Sequence, residues 1–129
     1  MRLLLDTHTF VWWRDKPDKL SIKAYDAISS PEKEIFLSTV VAWEIQIKLA
    51  IKKIELKWPL EKSIDVERSA NGFRILPIAL DHALYIEKLP LSDHKDPFDR
   101  MLISQAMVED MTIVTADRKF QEYDVKLLW

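Results

Sequence analysis

Short apolar runs alternate with segments of helical periodicity along almost the whole chain, and this alternation limits the folds that the sequence can adopt. Five of these runs are predicted to be strands: Arg2–Leu5, Ile35–Leu37, Phe73–Ile78, Thr112–Thr115 and Val125–Leu128. Strands that are separated by helices form parallel sheets with helices on both faces. The sequence therefore predicts an α/β fold, a three-layer α/β/α sandwich around a central, mostly parallel sheet of about five strands.

The segments between the strands carry helix start and stop signals. Ser21 is an expected N-cap, as is Ser38 or Thr39, because a side-chain oxygen there accepts a hydrogen bond from the first turn. The predicted helices run from Thr7 to Arg14, Ser21 to Ser30, Ser38 to about Lys53, Leu60 to Asn71, Ala79 to Lys88, Pro97 to Glu109 and Arg118 to Tyr123, with a polar loop over Leu91–Lys95. Residues 1–129 show no linker or repeat and are expected to form a single domain.

The composition excludes several classes of protein. The absence of cysteine rules out disulfides and thiolate metal sites, and it fits a cytoplasmic protein. No apolar run reaches the roughly 18 residues of a membrane span, and the N-terminus has no signal-peptide pattern, so no membrane association is expected. Nineteen basic against 21 acidic residues is not the balance of a non-specific nucleic-acid binder. The single glycine, Gly72, excludes a glycine-rich phosphate loop.

Four carboxylates lie where an apolar segment gives way to a helix. Asp6 ends the run of three leucines, and Asp117 closely follows the fourth predicted strand. Glu44 lies one turn into a helix, and Asp99 lies in the first turn of another. Because the carboxyl ends of parallel strands meet at one edge of a sheet, these acids are expected to come together there. Clustered carboxylates repel one another unless they share protons or bind a cation, and carboxylate oxygens suit Mg²⁺ or Mn²⁺.

Each acid also has an ordinary structural interpretation. Asp6 and Asp117 are both good N-caps for the helices that follow them. Asp96 precedes Pro97 and is interpreted first as a cap and second as support for a metal, whereas Asp99 is interpreted first as a ligand.

Glu44 has apolar neighbours one turn away on its predicted helix, namely Val40, Val41 and Ile47. An exposed ion pair with Lys48, four residues on, is worth only about 0.3–0.5 kcal/mol and does not offset burial of the carboxylate. This favours a functional role for Glu44.

The remaining polar and aromatic residues leave alternatives open. The three histidines, His8, His82 and His94, are dispersed without metal-binding spacing. For His94 we expect a hydrogen bond within its loop, with a substrate contact as the alternative. The five tryptophans are expected to pack in the core, or else to form an apolar groove for the helix of a partner protein or a dimer patch. Trp12 and Trp13 are adjacent and so cannot both face one core from a helix.

Four motifs carry a resemblance to a known family. They are Leu4-Leu5-Asp6-Thr7-His8, Ser38-Thr39-Val40-Val41-Ala42-Trp43-Glu44-Ile45, His94-Lys95-Asp96-Pro97-Phe98-Asp99-Arg100-Met101-Leu102-Ile103 and Thr112-Ile113-Val114-Thr115-Ala116-Asp117. In order and spacing they resemble a PIN domain, specifically the VapC-type toxin of a toxin–antitoxin pair, over nearly the whole chain.

The resemblance implies a function for the four acids. Asp6, Glu44, Asp99 and Asp117 would be the acidic quartet that binds Mg²⁺ or Mn²⁺ in a ribonuclease hydrolysing RNA phosphodiester bonds. It further implies a homodimer and a cognate antitoxin. Thr7, Arg100 and Thr115 are candidates for contacting the metal, water or phosphate, although a structural salt bridge is an equal alternative for Arg100.

Two other functional classes compete with this one. The chain could be a non-catalytic PIN-like binding module whose acids serve only as helix caps. It could also be a receiver-type or phosphatase-type domain that is phosphorylated on Asp6. His8 stands where such a phosphatase has its second acid, which argues against the phosphatase.

Overall fold

The computed structural model describes residues 1–91 and 93–129. Its strands are β1 (Arg2–Leu5), β2 (Glu34–Ser38), β3 (Arg74–Leu76), β4 (Thr112–Val114) and β5 (Leu127–Leu128). Its α-helices are α1 (Thr7–Asp15), α2 (Ile22–Ser29), α3 (Thr39–Ala50), α4 (Leu60–Asn71), α5 (Leu80–Tyr85) and α6 (Pro97–Glu109). Short 3₁₀ turns cover Pro17–Lys19, Ile86–Lys88 and Arg118–Glu122.

The five strands of the described chain form one sheet in the order β3-β2-β1-β4-β5, and every neighbouring pair is parallel. Leu3 of the central strand aligns with Ile35 on one side and Thr112 on the other. Leu3, Leu4 and Leu5 are all fully buried, although successive strand residues point to opposite faces. Helices therefore cover both faces of the sheet. The predicted three-layer α/β/α fold is confirmed, and the sheet is wholly parallel.

The helices begin at the caps that the sequence suggests. The side chains of Asp6, Ser21, Ser38 and Asp96 each accept a backbone N–H from the first turn of the following helix. These bonds satisfy donors that have no partner within the helix. Since α1, α3 and α6 start at the carboxyl edge of the sheet or close to it, their first turns all face the same end of the molecule.

Several element ends differ from the sequence prediction. α3 ends at Ala50 instead of about Lys53, because Lys52 adopts the left-handed conformation at φ 58 and the Lys53 N–H bonds the Lys48 carbonyl. Strand β3 ends at Leu76, since the proline that follows cannot donate to a ladder.

Two predicted helices are wholly or partly 3₁₀. α5 stops at Tyr85 and continues as the turn Ile86–Lys88, and the segment after Asp117 is entirely 3₁₀. The predicted polar loop over 91–95 includes Ser92, which lies outside the described residues.

The adjacent tryptophans of α1 point to different surroundings. Trp12 lies against Trp129, with 6.0 Å between ring centroids, and Trp13 stacks on Phe73 at 6.3 Å. Trp13 also donates its indole N–H to Glu67 of α4 at 2.7 Å. The first ring therefore borders the C-terminal end of the chain, while the second joins α1 to α4. Within the described residues, no helix is both long and apolar enough to cross a membrane.

Candidate functional site

Four acids that lie far apart in the sequence line one pocket of about 150 Å³. Asp6 follows β1, Glu44 lies on α3, Asp99 lies on α6, and Asp117 follows β4. The other residues that line this pocket are Thr7, His8, Lys48, His94, Asp96 and Lys119. The fold thus brings together at the carboxyl edge of the sheet the carboxylates that the sequence singles out. We call this cavity the acidic pocket.

Asp6 is both a helix cap and a member of the acidic pocket. One carboxylate oxygen accepts the Thr9 N–H at 2.8 Å, and the other accepts the Thr115 hydroxyl. The residue is 5% exposed, and burial raises the pKa of its carboxyl against the opposing effect of these hydrogen bonds. The interpretation of Asp6 as an N-cap and its interpretation as an acid of the pocket are therefore compatible, because one carboxylate does both.

Glu44 is buried on α3, as its apolar neighbours suggest. Its Oε1 accepts the Thr7 hydroxyl at 2.6 Å, and its Oε2 pairs with Lys48 at 2.6 Å. The Lys48 side chain is itself largely covered, so this pair is not the exposed surface pair considered from sequence. The Thr7 and Lys48 contacts hold the carboxylate on the wall of the acidic pocket.

Asp99 is fixed by a histidine. His94 Nε2 lies 2.7 Å from Asp99 Oδ2, and the imidazole is buried between the rings of Phe120 and Tyr123. The pKa of Asp99 rises from 3.8 to about 6, chiefly because of burial. The charges of Asp96 and Glu44 also raise it, while the His94 hydrogen bond lowers it. A carboxyl with this environment carries negative charge that its surroundings do not fully compensate.

Asp96 and Asp117 are exposed and act as caps. Asp96 accepts the Asp99 N–H at 3.0 Å, and Asp117 accepts the Lys119 N–H at 3.0 Å. The Asp117 N–H in turn donates to the Thr115 hydroxyl, which links this loop to Asp6. Asp117 therefore belongs to the same hydrogen-bonded group as the strongly buried acid.

The Arg100 side chain forms hydrogen bonds within the protein. Its guanidinium donates to the Pro90 carbonyl at 3.0 Å and to the Tyr123 hydroxyl at 3.1 Å, and it is not among the described residues that line the acidic pocket. A phosphate contact by Arg100 stays a prediction. His94 is the functional candidate that sequence reasoning underrated, since its bond goes to a pocket carboxylate. Its position five residues before Asp99 was the available signal.

The donor chemistry of the acidic pocket suits a divalent cation. Mg²⁺ and Mn²⁺ prefer carboxylate oxygens, and burial raises the pKa of both Asp6 and Asp99. A raised pKa means that the charged carboxylate is destabilised in the folded protein, and a bound cation offsets this destabilisation. In the described part of the chain, no three His, Asp or Glu side chains are already arranged around a common metal position. Binding therefore requires some of these side chains to shift from their present positions.

The sequence profile of the PIN domain family matches residues 3–126, nearly the whole chain. The chain belongs to the PIN domain family. The resemblance seen in its motifs is thereby confirmed.

The chain is similar in sequence to a protein named as a ribonuclease, and in fold to solved structures that include a toxin–antitoxin complex. It is similar to Ribonuclease VapC22 of Mycobacterium tuberculosis, with 27% identity over 121 residues, covering 94% of this chain and 91% of the relative. Its fold matches VapBC2 from Rickettsia felis, a structure bound to a promoter DNA fragment, with a TM-score of 0.73, 20% identity and coverage of 99% and 98%. It also matches a toxin–antitoxin complex from Klebsiella pneumoniae, with a TM-score of 0.56, 16% identity and coverage of 92% and 89%.

Proposed function

We propose that this PIN domain is an endoribonuclease that requires Mg²⁺ or Mn²⁺ and hydrolyses phosphodiester bonds in RNA. The observation that carries the proposal is the acidic pocket, where carboxylates from four separate elements face one cavity. Structural caps alone give no reason for Glu44, which caps nothing and is buried at the pocket wall. Similarity to a protein named as a ribonuclease supports RNA as the substrate.

The residues of the pocket have separable roles in this proposal. Asp6, Glu44, Asp99 and Asp117 would hold the cation, with Asp96 as possible support. When bound, a divalent cation neutralises phosphate charge and lowers the pKa of water. Thr7 and Thr115 orient the carboxylates of Glu44 and Asp6 through their hydroxyls. Lys48 and Lys119 border the same pocket and offer positive charge to an incoming phosphate. Hydrolysis breaks one P–O bond and adds water, so no covalent protein intermediate is needed.

The biological role that we propose is that of a toxin held in check by a cognate antitoxin protein. Similarity in fold to the toxin–antitoxin complex from Klebsiella pneumoniae supports this partner. We also propose that residues 1–129 act as one domain, that two copies form a homodimer, and that the protein meets its RNA in the cytoplasm.

A non-catalytic binding module is the competing function. The cap bonds of Asp6, Asp96 and Asp117 favour it, because each acid has a structural task without any metal. A binding module does not explain why Glu44 is buried or why the pKa of Asp99 is raised.

We expect purified protein treated with EDTA to leave RNA intact, and to regain cleavage when Mg²⁺ or Mn²⁺ is added in excess. The physical reason is that the phosphate and the four carboxylates repel each other until a cation neutralises them. The measurement is gel analysis of an end-labelled RNA. In parallel, Mn²⁺ should raise the melting temperature as the metal concentration passes the dissociation constant.

Two results would argue for the binding module instead. One is a melting temperature that does not respond to Mn²⁺, and the other is RNA that stays intact at every cation concentration. Asp65→Asn is the matched control, because Asp65 is an exposed acid on α4, outside the acidic pocket. Cleavage by this variant should equal that of the wild-type protein.

His94→Ala should weaken Mn²⁺ binding about 10- to 100-fold, because a ligand carboxylate without its hydrogen-bonded support loses its fixed orientation. His94→Gln is expected to recover part of that loss, since its amide nitrogen can reach a position similar to Nε2. Mn²⁺ affinity is measured by the free-ion electron paramagnetic resonance signal. Equal affinities in the alanine variant and the wild-type protein, both folded by circular dichroism, would refute the positioning role.

A further inference from the structure

The acidic pocket opens into a longer groove along helix α1. A second cavity, of about 260 Å³, shares Asp6, His8 and Asp117 with the acidic pocket and adds Trp12. A third, of about 430 Å³, shares His8 and Trp12 with the second. The shared lining residues place the three cavities next to one another, and we call the part beyond the acidic pocket the α1 groove.

The middle of the α1 groove is aromatic. The rings of His8 and Trp12 lie one helical turn apart, with centroids 5.7 Å from each other, and Trp12 is supported from behind by Trp129 at 6.0 Å. His8 is exposed, and Trp12 is half-buried and borders both cavities. The ammonium of the exposed Lys19 lies 5.7 Å from the centroid of the Trp12 ring. A half-buried indole that borders a groove, with a mobile cation beside it, is a suitable surface for stacking a nucleobase of a negatively charged strand.

The far end of the α1 groove is lined by cations. Lys16, Lys52 and Lys53 border the third cavity, and all three are exposed. Two acids also border this cavity, the buried Asp15, which accepts the Lys57 N–H at 3.0 Å, and the exposed Glu55. The three lysines exceed them by one charge, so this end of the groove is net positive.

Lys52 occupies a backbone position that lysine does not favour. Its φ of 58 lies in the left-handed region, where glycine or asparagine is less strained. Strain of this kind persists where the surrounding structure or a function requires it. This backbone conformation ends α3 and leaves the Lys52 side chain exposed at the border of the third cavity.

We propose that the α1 groove binds a single-stranded segment of RNA next to the bond being cut. One base stacks on Trp12 beside His8, and the phosphates that flank it contact Lys52 and Lys53, while the strand continues into the acidic pocket. This rests on the proposed ribonuclease function. Single-stranded RNA is favoured over duplex because a base within a helix is already stacked and cannot lie on the indole.

Binding is tested by fluorescence anisotropy with a fluorescein-labelled RNA octamer in EDTA, so that cleavage does not interfere. Trp12→Leu should weaken binding about 5- to 150-fold, the range for losing one stacked base, and should leave the salt dependence unchanged. Trp12→Phe should keep most of the affinity, and it also preserves packing against Trp129. Trp58→Leu is the matched control, because Trp58 is 53% exposed and does not line the groove.

The lysines are tested by the salt dependence of the same binding. The double variant Lys52→Asn with Lys53→Gln should reduce the slope of log K against log salt by about 1.4, since each lost phosphate contact on a single strand contributes about 0.7. Asparagine is chosen because it tolerates the left-handed backbone at position 52. The control removes two exposed charges elsewhere, Lys23→Gln with Arg68→Gln, and should leave the slope unchanged.

The α1 groove proposal is overturned if the octamer binds the wild-type protein neither in EDTA nor in Mn²⁺. The cation removes the repulsion between the strand and the acidic pocket, and anisotropy in Mn²⁺ is read by stopped flow before cleavage. The proposal is equally overturned if both groove variants bind like their controls, or if the annealed duplex binds as tightly as the single strand. Cleavage in Mn²⁺, measured separately, distinguishes the two ideas. Cleavage with unaffected binding in the groove variants refutes the groove and leaves the nuclease, whereas groove-dependent binding without cleavage refutes the nuclease and leaves the groove.

Discussion

Asp99→Asn should abolish RNA cleavage while making the metal-free protein more stable at pH 7.5. The first effect follows from removing a proposed ligand, because a neutral amide gives up the charge that attracts a divalent cation. The second follows from the raised pKa of Asp99, which means that the folded protein holds the charged carboxylate at a cost. A substitution that removes activity and increases stability is typical of a functional residue, because such a residue serves the active site at the expense of folding stability.

The pH dependence of that stability gain has a definite sign. The folded pKa of Asp99 is about 6 and its ordinary value is 3.8, so between these values the folded state holds a proton that the unfolded state has lost. Ionisation therefore lowers the free energy of unfolding as pH rises through this window. Asparagine does not ionise, so the variant's advantage should be complete above about pH 6 and absent below about pH 4. Since the side chain is partly exposed, we expect about 1–2 kcal/mol.

Urea unfolding at pH 7.5 and at pH 4, with EDTA throughout, measures this effect. Mn²⁺ should stabilise the wild-type protein at pH 7.5 and should stabilise Asp99→Asn much less, because the cation relieves the same carboxylate charge. Cleavage is measured on the same preparations, with Asp65→Asn as the control. An active Asp99→Asn enzyme, or a variant less stable than wild type at pH 7.5, would contradict this account of Asp99.

The acids show how far sequence can lead. Asp6 and Asp117 were ambiguous because a residue at a strand exit serves equally well as a cap and as a pocket acid, and the structure gives each of them both positions. Glu44 was the clearer indication of a functional site. Helical spacing places it among apolar neighbours and so predicts its burial, and its position within the helix excludes a role as a cap. The sheet order could not be read from the chain, but parallel strands alone suffice to bring the acids to one edge.

The features that could not be predicted from the sequence depend mostly on contacts between residues that are distant in the chain. His94 reaches Asp99 only because Phe120 and Tyr123, from the 3₁₀ turn and the residue that follows it, hold the imidazole in place. The early end of α3 depends on a left-handed lysine, where local propensity predicts a continuing helix. The α1 groove likewise requires Trp129, the last residue of the chain, to lie behind Trp12 of the first helix. No local pattern encodes the contacts that Phe120, Tyr123 and Trp129 make with these distant residues.

Glu67→Ala is expected to cost about 3–5 kcal/mol of folding stability, the range for breaking a buried ion pair by removing one partner. Glu67 is 3% exposed and accepts three hydrogen bonds, from Trp13 at 2.7 Å, Arg14 at 2.6 Å and Asn71 at 2.8 Å. The Arg14 Nε is already a buried donor with no acceptor in the described chain, so losing Glu67 leaves its guanidinium largely uncompensated.

Urea unfolding of three variants separates this cost from an effect of the substitution itself. Asp65→Ala, an exposed site on the same helix, should change stability by less than about 0.5 kcal/mol. Arg14→Met combined with Glu67→Leu should recover part of the loss, because apolar side chains of similar volume replace both charges at once, while Trp13 and Asn71 still lose Glu67 as an acceptor. A Glu67→Ala protein as stable as Asp65→Ala would show that α4 is held to α1 by apolar packing alone. Since α1 also carries Thr7, His8 and Trp12, a weakened attachment should reduce RNA affinity in the α1 groove as well.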